Sequence, residues 1–305
     1  MNTTRELEDG RVKAPVKKKH KAIRILLIVV VSLLAAVYLL LPMGMGVFAS
    51  VRGEQAAEMP PEGYDAVTLT ASDGVELSAW YAPSSNGAAI LLVHGSNGSL
   101  GSVRGYADML RGQGYGVLAL TLRGHGGSGG GGNALGWECG RDVAAAAEYL
   151  QGQEGVTAIG ALGLSLGGEV LLAAAVENPQ IKAIVSDGAT HHTAADYLTL
   201  PANRSLWRSF TTRVMYFSAG LFTGQQPPET TILDSVKAAH DTRLLLIAAG
   251  NVEDEGLYGQ MYADAAGDRA ALWVVPGAGH TEAFALYPDE YGQRVSDFFN
   301  AALIN

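Results

Sequence analysis

Short apolar segments of strand length alternate with helix-like segments from residue 88 to the end of the chain. Three of the apolar segments, "AAILLVHG", "GVLALTLRG" and "VTAIGALGL", lack the polar alternation of a half-exposed strand. Continuous apolar strands separated by helices are typical of a parallel sheet covered by helices on both faces. The sequence therefore predicts an α/β fold with a mostly parallel central sheet.

Two parts of the chain depart from this alternation. The segment "DAVTLTASDGVELSAWYAP" contains two apolar runs joined at Ser72-Asp73-Gly74, which predicts a hairpin. We expect that hairpin to add antiparallel strands at one edge of the sheet. Residues 190–240 carry no regular alternation, and we interpret them as a lid insertion. The fold is thus predicted to span residues 64–305, with that insertion inside it.

No charged residue occurs between Ile25 and Val51. A helix rises about 1.5 Å per residue, so this segment is long enough to cross a hydrocarbon core of about 30 Å. We predict a transmembrane signal anchor over residues 25–50. The alternative is a signal peptide cleaved after Ala49, which would release a secreted protein. The long polar start before the apolar segment favours the anchor.

The charges around this segment predict its orientation. Five basic residues precede it closely and one follows it: Lys17, Lys18, Lys19, Lys21 and Arg24, then Arg52. Positive charge is retained on the cytoplasmic side, so we expect residues 1–24 to be a cytoplasmic tail. Residues 51–63 then form a linker to an extracytoplasmic domain. Residues 1–24 carry a net charge of +5 and the remainder −14, which argues against nucleic acid as a partner.

The pattern Gly-x-Ser-x-Gly occurs twice, around Ser128 and around Ser165. An apolar strand segment precedes Ser165 and the helix-like "LGGEVLLAAA" follows it, which is the strand–turn–helix setting of a nucleophilic serine. Ser128 is followed by "GGGGNALG", and each glycine in a helix costs about 1 kcal/mol relative to alanine. We therefore interpret Ser165 as the candidate nucleophile and Ser128 as a loop residue.

A nucleophilic serine needs a base, and the base needs an orienting carboxylate. Ligand sites in such sheets lie at the carboxyl ends of the parallel strands, and His280 directly follows the strand segment "LWVVPGAG". Glu253, Asp254 and Glu255 follow the strand segment "RLLLIAAG", and Asp187 ends the strand before it. From the residues alone these four acids remain open.

Two backbone amides are placed to stabilise an oxyanion. The Leu166 amide lies at the start of the helix after Ser165, and the Ser96 amide lies in the loop after "AILLV". His191 and His192 follow the strand that ends near Asp187, so we expect them to be lid or substrate-binding residues. The single cysteine excludes an internal disulfide and a cysteine-rich metal site.

The segments "LLVHG", "LRGHGGS", "GLSLGG" and "PGAGH" together resemble the α/β-hydrolase superfamily over about residues 64–304. The resemblance implies acyl transfer without a metal or an organic cofactor, with His280 as base for Ser165. Many members carry Gly-x-x-Asp after the strand that bears the acid. Gly250-Asn251-Val252-Glu253 keeps this spacing, so the resemblance ranks Glu253 first among the acids, before Asp254 and Glu255.

We therefore expect a membrane-anchored serine hydrolase that acts on esters, with peptides and thioesters as alternatives. Its substrate would be a small-molecule or lipid-like acyl compound. The competing hypothesis is a non-catalytic binding module that is anchored in the membrane and uses the same fold.

Overall fold

A computed structural model describes residues 16–51, 58–131 and 135–304, and the strands in these ranges form one eight-stranded sheet. The strands are β1 Asp65–Thr70, β2 Glu76–Ala82, β3 Ala88–Val93, β4 Gly116–Leu120, β5 Ala158–Leu164, β6 Ile181–Asp187, β7 Arg243–Ala249 and β8 Ala270–Val275. Their order is β1-β2-β4-β3-β5-β6-β7-β8. Strands β3 to β8 run parallel, whereas β1 and β2 form an antiparallel hairpin at one edge. Both the parallel sheet and the edge hairpin are confirmed.

Helices cover both faces of this sheet. The α-helices of the described residues are α1 Val16–Ala35, α2 Leu41–Ala49, α3 Arg104–Gly112, α4 Gly140–Gln151, α5 Leu166–Ala173, α6 Ala194–Tyr197, α7 Leu206–Thr223, α8 Ile232–Ala238, α9 Glu253–Ala266, α10 Ala283–Leu286 and α11 Pro288–Phe299. Apolar residues of α4, α5, α8 and α9 pack on one face, and residues of α3 and α11 pack on the other. The lid insertion contains α6, α7 and α8, between β6 and β7.

Strand β3 shows why its sequence is apolar at every position. All six residues are buried, and alternate ones point into the two cores on opposite faces of the sheet. Burying one leucine or isoleucine side chain contributes about 1.5–3 kcal/mol. A strand that is buried on both faces therefore has no polar face, which explains why its sequence is apolar at every position.

The second Gly-x-Ser-x-Gly segment has a structural role. Ser128 is fully buried, and no helix begins beside it. Its hydroxyl donates to the Thr121 carbonyl oxygen at 2.6 Å and accepts the Ser78 amide at 2.9 Å. Ser128 thus ties its loop to β2. Cys139, at the start of α4, is also fully buried, and burial raises the pKa of its thiol.

The apolar N-terminal segment is helical. A π-helical turn over Ala36–Leu40 joins α1 to α2, and an 18-residue stretch within His20–Ala49 has a mean hydropathy of 2.9. This helix is long and apolar enough to cross a membrane, although a signal sequence has the same properties. Residues 1–15 of the predicted tail (1–24) and residues 52–57 of the predicted linker (51–63) lie outside the described residues.

Helix α2 packs against α7 of the lid insertion. A Cβ atom at Gly46 would collide with the Met215 carbonyl oxygen, so glycine allows the two backbones to approach closely. The Ser218 hydroxyl lies 3.0 Å from the Met43 carbonyl oxygen. The lid insertion is therefore attached to the N-terminal helix as well as to the sheet.

Candidate active site

Ser165 lies at the turn between β5 and α5. Its φ of 50° is in the left-handed region, where a side chain costs about 1–3 kcal/mol. A Cβ atom at Gly163 would collide with the Gly167 backbone, so the turn is closed tightly by glycine. The amide of Ser165 donates to the Asp187 carbonyl oxygen at 2.7 Å. These contacts hold the side chain of Ser165 at the carboxyl edge of the sheet.

His280 lies in the loop that follows β8 and connects two of the predicted site residues. Its Nε2 is 2.8 Å from the Ser165 Oγ, and its Nδ1 is 2.6 Å from Oε1 of Glu255. In the matching tautomer the serine hydroxyl donates to Nε2 and the Nδ1 proton is donated to the carboxylate. This is the arrangement of a nucleophile, a base and an orienting acid.

The structure places Glu255 against His280, and the first choice from the sequence, Glu253, is wrong for this contact. Helix α9 begins at Glu253, so all three neighbouring acids lie in its first turn. Successive residues of a helix point about 100° apart, so the three acids point in different directions. Glu253 and Asp254 are exposed, whereas Glu255 is buried, and its other oxygen accepts the Ala249 amide at 2.8 Å.

The remaining alternative acid, Asp187, makes no side-chain hydrogen bond to His280 in the described residues. Burial raises the pKa of Asp187 to about 7. The hydrogen bond to Glu255 raises the pKa of His280, since the carboxylate favours the protonated ring. The carboxylate that determines the charge state of His280 is therefore that of Glu255.

The two predicted oxyanion donors flank Ser165. Leu166 follows it in sequence, and a Cβ atom at Gly95, the neighbour of Ser96, would lie 3.2 Å from the Ser165 Cβ. Neither the Ser96 amide nor the Leu166 amide donates a hydrogen bond to another described residue. The role of these two amides in binding an oxyanion at Ser165 stays a prediction.

His94 supports the loop that carries Ser96, a role that sequence reasoning missed. The Leu122 amide donates to its Nε2 at 3.2 Å, and its Nδ1 lies 2.7 Å from the Gly95 carbonyl oxygen. Burial lowers the pKa of His94 to about 4, so the ring is neutral and can do both. A histidine directly after a buried strand is the signal that points to it.

The lid histidines lie beside the site and do not join it. His191 has its Nδ1 2.8 Å from the Tyr216 hydroxyl, and burial lowers its pKa to about 4. His192 is buried, and its carbonyl oxygen accepts the Trp137 indole N–H at 2.8 Å. Neither ring hydrogen-bonds to Ser165. Their predicted substrate-binding role stays a prediction.

A further buried acid, Glu169, fixes the start of the lid insertion. One of its oxygens accepts the Thr190 amide, the Thr190 hydroxyl and the His191 amide, each at 3.0 Å. Burial raises the pKa of Glu169 to about 7. A lone carboxylate in the apolar first turn of α5 is the sequence signal that identifies it.

A cavity of about 510 Å³ lies under the lid helix α7. Trp137, Tyr216, Phe217 and Leu221 contribute apolar walls, and Arg213 lies at its margin. None of the residues that line it belongs to the Ser165–His280–Glu255 arrangement. Among the described residues, no group of three or more His, Cys, Asp or Glu side chains could hold a metal ion.

Residues 84–234 match the model of a family described as serine aminopeptidase, S33. The matched region includes Ser165 and most of the lid insertion, and it ends before Glu255 and His280. No curated protein matches the chain in sequence.

Several solved structures resemble the chain. An esterase from Pyrococcus furiosus is 22% identical with a TM-score of 0.65, and the match covers 84% of this chain and 99% of that one. An alpha/beta hydrolase from Penicillium sp. is 18% identical with a TM-score of 0.62, covering 80% and 99%. A Butyrivibrio proteoclasticus protein with ferulic acid bound is 18% identical with a TM-score of 0.58, covering 77% and 99%. At such identities the likeness concerns the fold alone.

Proposed function

We propose that this chain, which has the α/β-hydrolase fold, is a serine hydrolase that cleaves esters through an acyl-enzyme on Ser165. One observation carries the proposal: an unbroken hydrogen-bond chain from the Ser165 hydroxyl through His280 to Glu255, with contacts of 2.8 and 2.6 Å. A serine hydroxyl becomes a useful nucleophile when a base takes its proton and an acid orients that base.

The residues assign each step of such a reaction. Ser165 Oγ attacks the ester carbonyl carbon while His280 Nε2 takes its proton. The oxyanion of the tetrahedral intermediate receives hydrogen bonds from the Ser96 and Leu166 amides. The imidazolium, stabilised by Glu255, then protonates the leaving alcohol. Water releases the acyl group from Ser165 by the same steps, with His280 as its base.

The proposed substrate is an ester with a small-molecule or lipid-like acyl group. Two of the similar solved proteins are named esterases, from Pyrococcus furiosus and Exiguobacterium antarcticum, which supports an ester. The matching family is described as an aminopeptidase, so a peptide is the alternative substrate class.

We also propose that the helix over His20–Ala49 anchors the protein in the membrane. The basic residues before it and its length support an anchor with a cytoplasmic N-terminus. The α/β domain then works outside the cytoplasm, close to the membrane surface. Cleavage after Ala49 is the alternative and would give a secreted enzyme.

Labelling with a fluorophosphonate tests the catalytic proposal. We expect the wild-type chain and a folded Ser128→Ala variant to be labelled, and Ser165→Ala to remain unlabelled. Ser128→Ala is the matched control because it removes the serine of the other Gly-x-Ser-x-Gly segment. An unlabelled wild-type chain would support the non-catalytic binding module instead. Comparing p-nitrophenyl acyl esters with aminoacyl p-nitroanilides then separates esterase from aminopeptidase activity.

A further inference from the structure

Helix α7 exposes an unusual number of large apolar side chains. They are Leu206, Trp207, Phe210, Phe217, Leu221 and Phe222, with exposed fractions between 44% and 75%. Four of them follow one another at intervals of four, seven and four residues and so form a stripe along one side of the helix: Leu206, Phe210, Phe217 and Leu221. A contiguous apolar surface on this scale marks contact with a partner or a membrane.

This stripe is continuous with the candidate membrane span. The Trp207 ring packs against the Tyr38 ring with centroids 4.7 Å apart, and α2 crosses α7 at Gly46. Tyr38 lies about 21 Å along the helix from Arg24, which is within a hydrocarbon core of about 30 Å. The medium that surrounds the span at Tyr38 therefore also surrounds Trp207.

The charge around α7 is opposite in sign to that of the rest of the domain. Residues 197–228 contain no Asp or Glu and three arginines, while the chain has a net charge of −9. The arginines are Arg204, Arg208 and Arg213, and none forms a salt bridge with a described residue. Arg204 donates to the Leu198 and Thr199 carbonyl oxygens and Arg208 to the Asn203 side chain, which leaves Arg213 as the one that can reach lipid. Arg213 is exposed on the apolar stripe, between Phe210 and Phe217. A long arginine side chain in this position can extend to a lipid phosphate.

We propose that α7 is inserted into the membrane leaflet that faces the hydrolase domain, with its apolar stripe in contact with acyl chains and with Arg213 paired with an anionic headgroup. The occupant of this surface is the bilayer, because the stripe lies beside the proposed membrane span and because the positive charge of Arg213 suits anionic lipid. The inference rests on the proposed membrane anchor and does not depend on the proposed catalytic function. If a second copy of the chain covered the stripe instead, the stripe would be buried without any lipid.

Trp207 is a built-in reporter for the test. Of the four tryptophans, Trp80, Trp137 and Trp273 are buried, whereas Trp207 is 57% exposed. The full chain is reconstituted in phosphatidylcholine–phosphatidylglycerol vesicles whose acyl chains are brominated, since bromine quenches a nearby indole. We expect the brominated lipid to quench the emission of the wild-type chain clearly and that of Trp207→Phe only slightly. Iodide dissolved in the water should quench Trp207 little. Quenching of Trp207 by iodide alone would overturn the proposal.

Further variants separate the competing outcomes. Arg213→Gln is expected to reduce bromolipid quenching in vesicles with phosphatidylglycerol and to leave it unchanged in phosphatidylcholine alone. Phe217→Cys tests for a second copy, because the single native cysteine is buried. Disulfide-linked dimers of this variant in vesicles, or a chain recovered cleaved after Ala49 and unbound, would contradict the proposal. Ser165→Ala should be quenched by bromolipid as strongly as the wild-type chain. The membrane test therefore does not depend on whether the chain is a hydrolase.

Discussion

Both carboxylate oxygens of Glu255 are occupied, one by His280 and the other by the Ala249 amide. Glu255→Gln keeps the size of the side chain and replaces one acceptor oxygen with an NH₂ donor, which cannot orient the Nδ1 proton. We predict that kcat falls by about 10⁴-fold, as for an amide in the acid position of a serine triad. Steady-state kinetics with a soluble ester measure it. The control is Glu253→Gln, an exposed position in the same helical turn, where we expect wild-type kcat; a loss there equal to that at Glu255 would contradict the assignment.

The raised pKa of His280 predicts the pH dependence of the reaction. His280 must be neutral to accept the serine proton, and protonation at low pH removes the base. Because Glu255 raises the pKa of His280, we expect the acid limb of kcat/KM to have its midpoint above the usual value of about 6.5. The residual activity of Glu255→Gln should have its midpoint shifted to lower pH. An unchanged midpoint in that variant would show that another group titrates.

Sequence reasoning reaches Ser165 and His280 because each follows a recognisable strand, and strand ends have a fixed place in a parallel sheet. It cannot choose among neighbouring acids, because that choice depends on the direction of each side chain around α9. Glu253 fits the Gly-x-x-Asp spacing, yet within the first turn of α9 its side chain is exposed and that of Glu255 is buried. The choice depends on the angle at which each side chain leaves the axis of α9, and the spacing of residues in the sequence does not give that angle.

At the scale of elements, the close approach of β3, β5 and α5 depends on glycine. A Cβ atom at Gly167 would collide with the Val93 and His94 carbonyl oxygens, which cannot move without moving β3. We predict that Gly167→Ala destabilises the protein by about 1–3 kcal/mol or more through overpacking. Gly256 in α9 has no atom within 4 Å of such a Cβ, so Gly256→Ala should stabilise by about 0.5–1 kcal/mol. Thermal unfolding of both variants in detergent measures the difference; similar melting temperatures would contradict it.

The sheet was predictable element by element, whereas the packing of α2 on α7 was not. Buried strands such as β3 are recognised by their continuous apolar sequence, and the hairpin is recognised by its turn residues. The contact between Gly46 and Met215 joins residues that are far apart in the chain, one in the apolar N-terminal segment and one in the lid insertion. A single sequence contains no signal for that pairing.

For the whole molecule, the distribution of charge predicts its topology. The basic residues before the candidate span should keep the N-terminus in the cytoplasm and place Asn305 outside. We therefore expect a reporter that works only in the cytoplasm to be inactive when fused after Asn305, while the same reporter at the N-terminus is active. Activity of the C-terminal fusion would mean that the hydrolase domain is cytoplasmic.

The buried position of Cys139 has a consequence for the folding of the whole chain. With one cysteine, no bridge can form within the molecule, and the thiol is enclosed at the start of α4. Stability must therefore come from the two cores on either side of the sheet, and it is the same in oxidising and reducing surroundings. We therefore expect the domain to fold without disulfide-forming machinery, on either side of the membrane.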